Sequence, residues 1–325
     1  MAFDRVANLY VGKMKNGNEE SASFRISDLH FSFEVTRSIY WFENKARFSI
    51  YNLSKENENK IMTEGSSVIF EAGHKDQKIG NIYIGQIGYV DPRKKGLDRV
   101  TEIFCTSGRG GQYQLSRVGI SIKFSAGTFI NTVLEYVATY CGLSFKGREN
   151  LGDVLLERDL VYSGDVAKLL LAIRDTVLYR YGAGAYIDNN EIVIYRLYGD
   201  VSEFNYAYLT KSSGLLTSAR VRDESKNEIN YREDLAYWMG YPDLKKADIK
   251  VIEEKLAKQK AEKEELNKRE CIKLSSLIRA DIYPNTMCEV IDEEEKINGR
   301  YIITRAIYSG DNFGGEFKVE CEAMK

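Results

Sequence analysis

Apolar and polar residues alternate with period two along much of the first third of the chain. In Phe31-Ser-Phe-Glu-Val-Thr-Arg37 one face carries Phe31, Phe33 and Val35, and Ala46, Phe48 and Ile50 repeat the pattern. Such alternation predicts half-buried strands, because successive strand side chains point to opposite faces. Asn52-Leu-Ser54 ends the second strand, and Ser54 is placed to cap a short helix from Lys55 to Met62. Val68–Phe70, Ile82–Val90 and Val100–Thr106 read as further strands. Many short strands separated by glycine turns predict a small barrel.

The pattern changes after Ser107-Gly-Arg-Gly-Gly111, which reads as a domain junction. Phe129, Val133, Tyr136, Val137 and Tyr140 then recur at helical spacing, predicting a stripe on a helix from Thr128 to Cys141 that Gly142 stops. Val166, Leu169, Leu170, Ile173 and Val177 predict a second helix, from about Asp165 to Leu178, with Ser163 as its cap. A hairpin is predicted from Ala185–Ile187 and Ile192–Tyr195 around a turn at Asp188-Asn-Asn190. Strand patterns return at Leu215–Val221 and from Cys271 to the end.

Between them, Arg222 to Glu270 is densely charged. Pro242 suits a helix start, and no Gly or Pro occurs from Asp243 to Glu270. Glu254 with Lys258, Glu264 with Lys268 and Glu265 with Arg269 stand in the favourable i,i+4 order. Ile249, Ile252 and Leu256 make a short apolar stripe, so this solvent-facing helix is expected to dock a neighbouring subunit or partner. The predicted fold class is α+β and β-rich. Two small β-barrel domains, residues 1–107 and 213–325, flank an α+β middle domain, 108–212, and the last carries the helical insertion 222–270. No fixed-period repeat is visible.

Composition narrows the function. The 325 residues are 43% hydrophobic and 29% charged, which suits soluble domains with sizeable cores. A net charge of −2 gives no bulk attraction to nucleic acid or anionic lipid. No run reaches the ~18 apolar residues of a membrane span, and the start has no apolar signal-peptide core. The five cysteines (Cys105, Cys141, Cys271, Cys288, Cys321) are odd in number and lack a CxxC pair, which predicts reduced thiols in a cytoplasmically made protein. Cys105, Cys288 and Cys321 lie in strand patterns, where core packing is the expectation.

Catalytic chemistry is thin. Two histidines, His30 and His74, sit at strand edges or turns and are expected to be structural. They rule against a multi-histidine metal site or a histidine triad. Asp292-Glu-Glu-Glu295 lacks the spaced ligands of an EF-hand loop and reads as a solvated turn. Ser107–Gly111 matches neither a P-loop nor a dinucleotide fingerprint. Ser-Gly-Asp occurs at Ser163–Asp165 and Ser309–Asp311, suiting a helix start and a hairpin turn. Neither serine has a base beside it in sequence. Carboxylates for glycan cleavage are present, but no spacing singles out a pair.

Several segments, in order, resemble the baseplate hub proteins of contractile phage tails and tailocins, the late control protein D-like tail hubs. They are the strand from Asn44 ending Tyr51-Asn-Leu-Ser54, Val68-Ile-Phe-Glu-Ala-Gly73, Ile84-Gly-Gln-Ile87, Gly127-Thr128 with Cys141-Gly-Leu143, and the Ile187–Ile194 hairpin. Gly214-Leu-Leu216, Ile282-Tyr-Pro-Asn285 and Tyr301 through Gly315 follow. Two features depart from the pattern: the long stretch from Arg222 to Glu270, and Met287-Cys288 where a glycine is common. The resemblance implies a homotrimer in which two similar barrels per chain make a six-barrel ring. One side of that ring would meet the tail tube or its initiator protein, and the other the central spike. Tape-measure and baseplate wedge proteins are further implied partners, DNA only passes through the channel, and no membrane is involved. The resemblance implies no cofactor and no enzyme activity. It places the protein in a virion or tailocin baseplate assembled in the host cytoplasm. A tail-associated cell-wall hydrolase and a glycan-binding module remain the alternatives.

Overall fold

The computed structural model describes residues 4–12, 14–15, 18–19, 24–39, 44–63, 67–76, 78–107, 115, 118–196, 206–221 and 270–325. The fold is α+β and dominated by strands. The first region holds β1 (Arg5–Gly12), β2 (Met14–Lys15), β3 (Asn18–Glu19), β4 (Phe24–Ile26), β5 (Phe31–Ser38), β6 (Lys45–Tyr51), helix α1 (Lys55–Thr63), β7 (Ser67–His74), β8 (Gly80–Lys95) and β9 (Asp98–Thr106). The middle region holds β10 (Gly119–Phe124), helix α2 (Ile130–Cys141), β11 (Ser144–Lys146), β12 (Leu160–Asp165), helix α3 (Val166–Thr176), β13 (Ala183–Asp188) and β14 (Glu191–Arg196). Then come β15 (Tyr206–Leu209), β16 (Leu215–Val221), β17 (Cys271–Leu277), β18 (Met287–Asp292), β19 (Ile297–Asp311) and β20 (Phe317–Met324).

Local chemistry explains most boundaries. Phe31, Phe33 and Val35 are buried along β5, as the alternation demands. The Asn57 N–H donates to Ser54 Oγ at 3.2 Å, so Ser54 does cap α1. Asn189 and Asn190 turn the β13–β14 hairpin with φ of 47° and 64°, the left-handed pair that a type I′ turn needs.

Two helix readings are corrected. The buried face of α2 is Ile130, Val133, Leu134, Val137, Ala138 and Cys141, whereas Phe129, Tyr136 and Tyr140 are about half exposed. The 3.6-residue period runs through the aliphatic residues. The Tyr140 hydroxyl stays at the rim, donating to the Gly119 carbonyl at 2.9 Å. The cap of α3 is Asp165 rather than Ser163: its carboxylate accepts from the Lys168 N–H at 2.8 Å, while Ser163 lies inside β12.

The first and last regions share one hydrogen-bonded sheet, in the order β16-β17-β20-β19-β5-β6-β9-β8-β7-β1-β4, with β18 on β19 and β15 on β18. The join is β19 against β5, from Arg305↔Ser38 to Asp311↔Ser32. One apolar core runs through both regions and includes Leu9, Phe48, Phe70, Leu274, Tyr301 and Tyr308. The middle region packs a separate core around α2 and α3, with Val133, Leu134, Leu169, Ile173 and Ile192 among its members.

A repeat that the sequence hides is written in the topology. The order β5-β6-β9-β8-β7 recurs as β16-β17-β20-β19-β18. Both central strands, β8 and β19, are long and change partners midway. Register breaks fall between Ile87 and Tyr89 and between Ile303 and Arg305. The correspondence ends at the next strand out, because β1 is antiparallel to β7 whereas β15 is parallel to β18.

Candidate functional site

Reactive groups in the described residues are tied into structural contacts. His30 Nε2 lies 2.5 Å from Asp311 Oδ2, and its ring stacks on Tyr51 at 4.4 Å. Asp311 Oδ1 accepts the N–H groups of Phe313 and Gly314, so the pair clamps the β19–β20 turn against the entry to β5. His74 is buried, edge-on to Phe317. Burial, and then the charge of Arg5, push its pKa below the ordinary imidazole value. Cys105, Cys141, Cys288 and Cys321 are buried, Cys271 is half-buried, and none of them forms a disulfide. Among the described residues no three His, Cys, Asp or Glu side chains converge on a point that would hold a metal.

Asp292 departs from its expected place in a solvated turn. It is buried, accepts from Ser218 Oγ at 2.8 Å, and also receives the N–H groups of Glu294 and Glu295. The Ser218 hydrogen bond leads in holding its carboxyl below the usual range. Only Glu293, Glu294 and Glu295 of that cluster face solvent.

A buried polar node, not legible beforehand, joins the three regions. Arg37 of β5 forks onto Asp188 at the end of β13, its Nε meeting Oδ1 at 3.2 Å and a terminal nitrogen meeting Oδ2. Its other terminal nitrogen donates to the Ile82 carbonyl of β8 at 3.0 Å, and its guanidinium lies 5.4 Å from the Tyr283 ring. Burial acts to lower the Arg37 pKa, but the Asp188 charge and hydrogen bond, together with the influence of Tyr308 and Tyr186, outweigh it and leave the pKa above its ordinary value. Asn44 Nδ2 reaches the Ile187 carbonyl at 2.7 Å, while the Ile84 N–H donates to Asn189 Oδ1 at 2.9 Å. The Tyr308 hydroxyl donates to the Ile282 carbonyl. The node fixes the middle hairpin against both strand sets.

What the surface does offer is unpaired strand edge. The first part of β8 pairs with β7 up to Gln86, and the second part pairs with β9 alone. Among the described residues no strand covers the other edge of Tyr89–Lys95. This segment ends in a two-residue turn, Gly96-Leu97, with Leu97 fully exposed. Lys94 and Lys95 line a groove of about 540 Å³ with Arg93, Arg47, Tyr51 and Glu102. At the far end of the sheet, β16 pairs with β17 alone among the described residues, and Leu216 within it is half exposed. A strand edge of this kind carries a row of open backbone donors and acceptors and is a template for another strand.

The docking residues expected from sequence, Ile249, Ile252 and Leu256, lie outside the described residues, as does the rest of 222–269. Of the expected junction Ser107–Gly111, only Ser107 is described, and it is buried.

No protein-family model matches the sequence, and no curated protein matches it. Solved structures do match. A tail protein from Neisseria meningitidis is 11% identical, with a TM-score of 0.62 over 99% of this chain and 97% of that one. The 43 kDa tail protein of prophage MuSo2 from Shewanella oneidensis is 12% identical, with a TM-score of 0.61 over 98% of each chain. An Escherichia coli component of the type VI secretion system, described as structurally similar to bacteriophage T4 tail proteins, is 12% identical. Its TM-score is 0.53 over 90% of this chain and 73% of that one. Across nearly its whole length, the chain therefore has the fold of phage tail proteins and of their type VI secretion counterpart.

Proposed function

We propose that the chain is a structural baseplate hub subunit of a contractile phage tail or tailocin. In this reading three copies form a ring that encloses the channel and joins the tail tube, or its initiator protein, to the central spike. Tape-measure and wedge proteins meet the same assembly, and DNA only passes through. The two strand sets would be the two barrels of each copy, so the ring would carry six. The middle α+β region would sit between them. The pairing of β15 with β18 favours starting the last domain at Tyr206 rather than residue 213. The observation that carries the proposal is the full-length likeness to two phage tail proteins, which spans both strand sets and the middle region together. The structural role needs no cofactor and no turnover. The insertion, through Ile249, Ile252 and Leu256, is assigned to docking a neighbour.

Light-scattering mass, measured alone and with the spike, tests the proposal. A trimer in either sample is expected. A strict monomer in both, with no spike bound, overturns it. Hydrolysis of cell wall that is lost on replacing one carboxylate would replace it with the hydrolase reading.

A further inference from the structure

We propose that copies of this chain join head to tail, by antiparallel pairing of the free edge of β8 in one copy with β16 of the next. The assignment rests on the ring-forming reading above and supplies its contact. It comes from the topological repeat.

Within one chain, the second half of β19 is covered by β5. The repeat equates β19 with β8, and β5 with β16. Thus the intrachain junction uses the second half of the long strand in one set and the first strand of the other. Among the described residues, the same two elements are left uncovered in the opposite pairing: the second half of β8 and the outer edge of β16. Repeating the junction between copies covers both. Such a contact is heterologous, and heterologous contacts generate rings when the rotation closes.

The repeat also gives the register. The register breaks align Ile87 with Ile303 and Tyr89 with Arg305. The β16–β17 ladder aligns Ser218 with Phe33, through Leu274 and Phe48. Within the chain Gly310 faces Phe33 and Ser309 faces Glu34. Between copies, Lys94 then faces Ser218, Arg93 faces Ala219 and Pro92 faces Arg220.

The side chains suit this register. At the intrachain junction a bulky Phe33 meets a glycine, and a Cβ on Gly310 would lie 3.0 Å from the Phe33 ring. Between copies the sizes swap, with a long lysine meeting a small serine. The lysine also arrives where charge favours it, because the Ser218 hydroxyl donates to the buried Asp292 carboxylate. The Ile39 N–H to Thr304 carbonyl and Asn312 N–H to Phe31 carbonyl bonds show that even-numbered β19 residues face β5. Pro92 occupies the equivalent of Tyr308, so its missing N–H falls on the open edge. Sheets tolerate proline there, and the interface would have one hydrogen bond fewer than its intrachain model.

The same parity makes Arg93 and Ala219 a non-hydrogen-bonded pair, whose Cα atoms approach to about 4.5 Å, within disulfide range. Both positions are exposed in the single chain. The test is the double variant R93C/A219C under mild oxidation, with each single variant as control and thermal melts to verify folding. Disulfide-linked dimers and trimers are expected from the double variant alone, and K94E in that background should reduce them several-fold. A trimer by light scattering without these links overturns the contact and leaves the hub reading standing. A monomer in every sample overturns both. A disulfide confined within single chains overturns the contact, since the two edges would then meet inside one molecule.

Discussion

Arg37 and Asp188 form a buried, forked ion pair although 151 residues separate them along the chain. The pair ties a strand of the first region to the hairpin of the middle one, and the Ile82 carbonyl and Tyr283 ring complete its surroundings. Taking charges out of water costs more than a surface pair returns, so a buried pair tolerates loss of both partners better than loss of one. Asp188→Leu alone should strand the guanidinium and cost about 3–5 kcal/mol. Arg37→Met with Asp188→Leu should recover much of that. Urea unfolding of the two variants measures the difference, and a double variant no more stable than the single one would contradict the account.

Gly85 stands in β8 where a side chain has no room. An added Cβ would lie 2.7 Å from the Thr106 carbonyl oxygen and 2.5 Å from the Tyr83 hydroxyl. Tyr83 is fully buried and the carbonyl is backbone, so neither can swing away. Gly85→Ala should cost about 1–3 kcal/mol by overpacking. Gly119→Ala, at a glycine with nothing within 4 Å, should stay within about 0.5 kcal/mol of wild type. Equal midpoints for the two variants in thermal melts would show that the space at Gly85 is not as drawn.

Much of this fold was legible because its signals are local. Period-two burial marked β5 and β6, Ser54 marked the start of α1, and the Asn189-Asn190 pair marked a hairpin. The α2 stripe is not legible from spacing alone, because two overlapping sets of apolar residues share the helical period. Tyr136 and Tyr140 have hydroxyls that keep them at the surface, and Ile130 and Leu134 take the core instead. The node was invisible because Arg37, Asn44 and Asp188 look like ordinary polar strand and turn residues until three distant segments meet. The repeat was invisible for a related reason. Equivalent positions such as Phe33 and Ser218, or Gly310 and Lys94, share a place in the ladder but not a chemistry. The candidate edge likewise depends on which strand β8 lacks, which only the sheet order reveals.

The thiols should separate into two classes. Cys105, Cys141, Cys288 and Cys321 are buried, and burial pushes the Cys288 thiol up to about 12. At pH 8 its reactive thiolate is therefore scarce as well as inaccessible. Cys271, half-buried at the start of β17, should react first with an aromatic disulfide reagent in the native protein. Five thiols should titrate after denaturation without reductant. Fewer than five would mean that a disulfide forms, against the structure, in which none of the five is disulfide-bonded.

Glu58 should give the protein part of its acid sensitivity. It lies on α1, buried, and accepts from Arg99 Nε at 2.8 Å, Arg99 Nη2 at 2.7 Å and Thr101 Oγ1 at 3.2 Å. The Arg99 hydrogen bonds hold its carboxyl below the ordinary value, although burial pushes the other way. A carboxylate with a lowered folded pKa binds fewer protons folded than unfolded across the interval between the two values. Its stabilising contribution is therefore complete above the unfolded value, about 4.3, and drains away as pH falls through the folded one. Glu58→Gln removes that titration. The variant should be less stable than wild type at pH 7, because Arg99 loses its anionic partner. The gap should narrow as pH falls from about 5 towards 3. Unfolding midpoints measured across that range decide the matter, and a gap that stays constant or widens in acid would show that Glu58 is not the group being protonated.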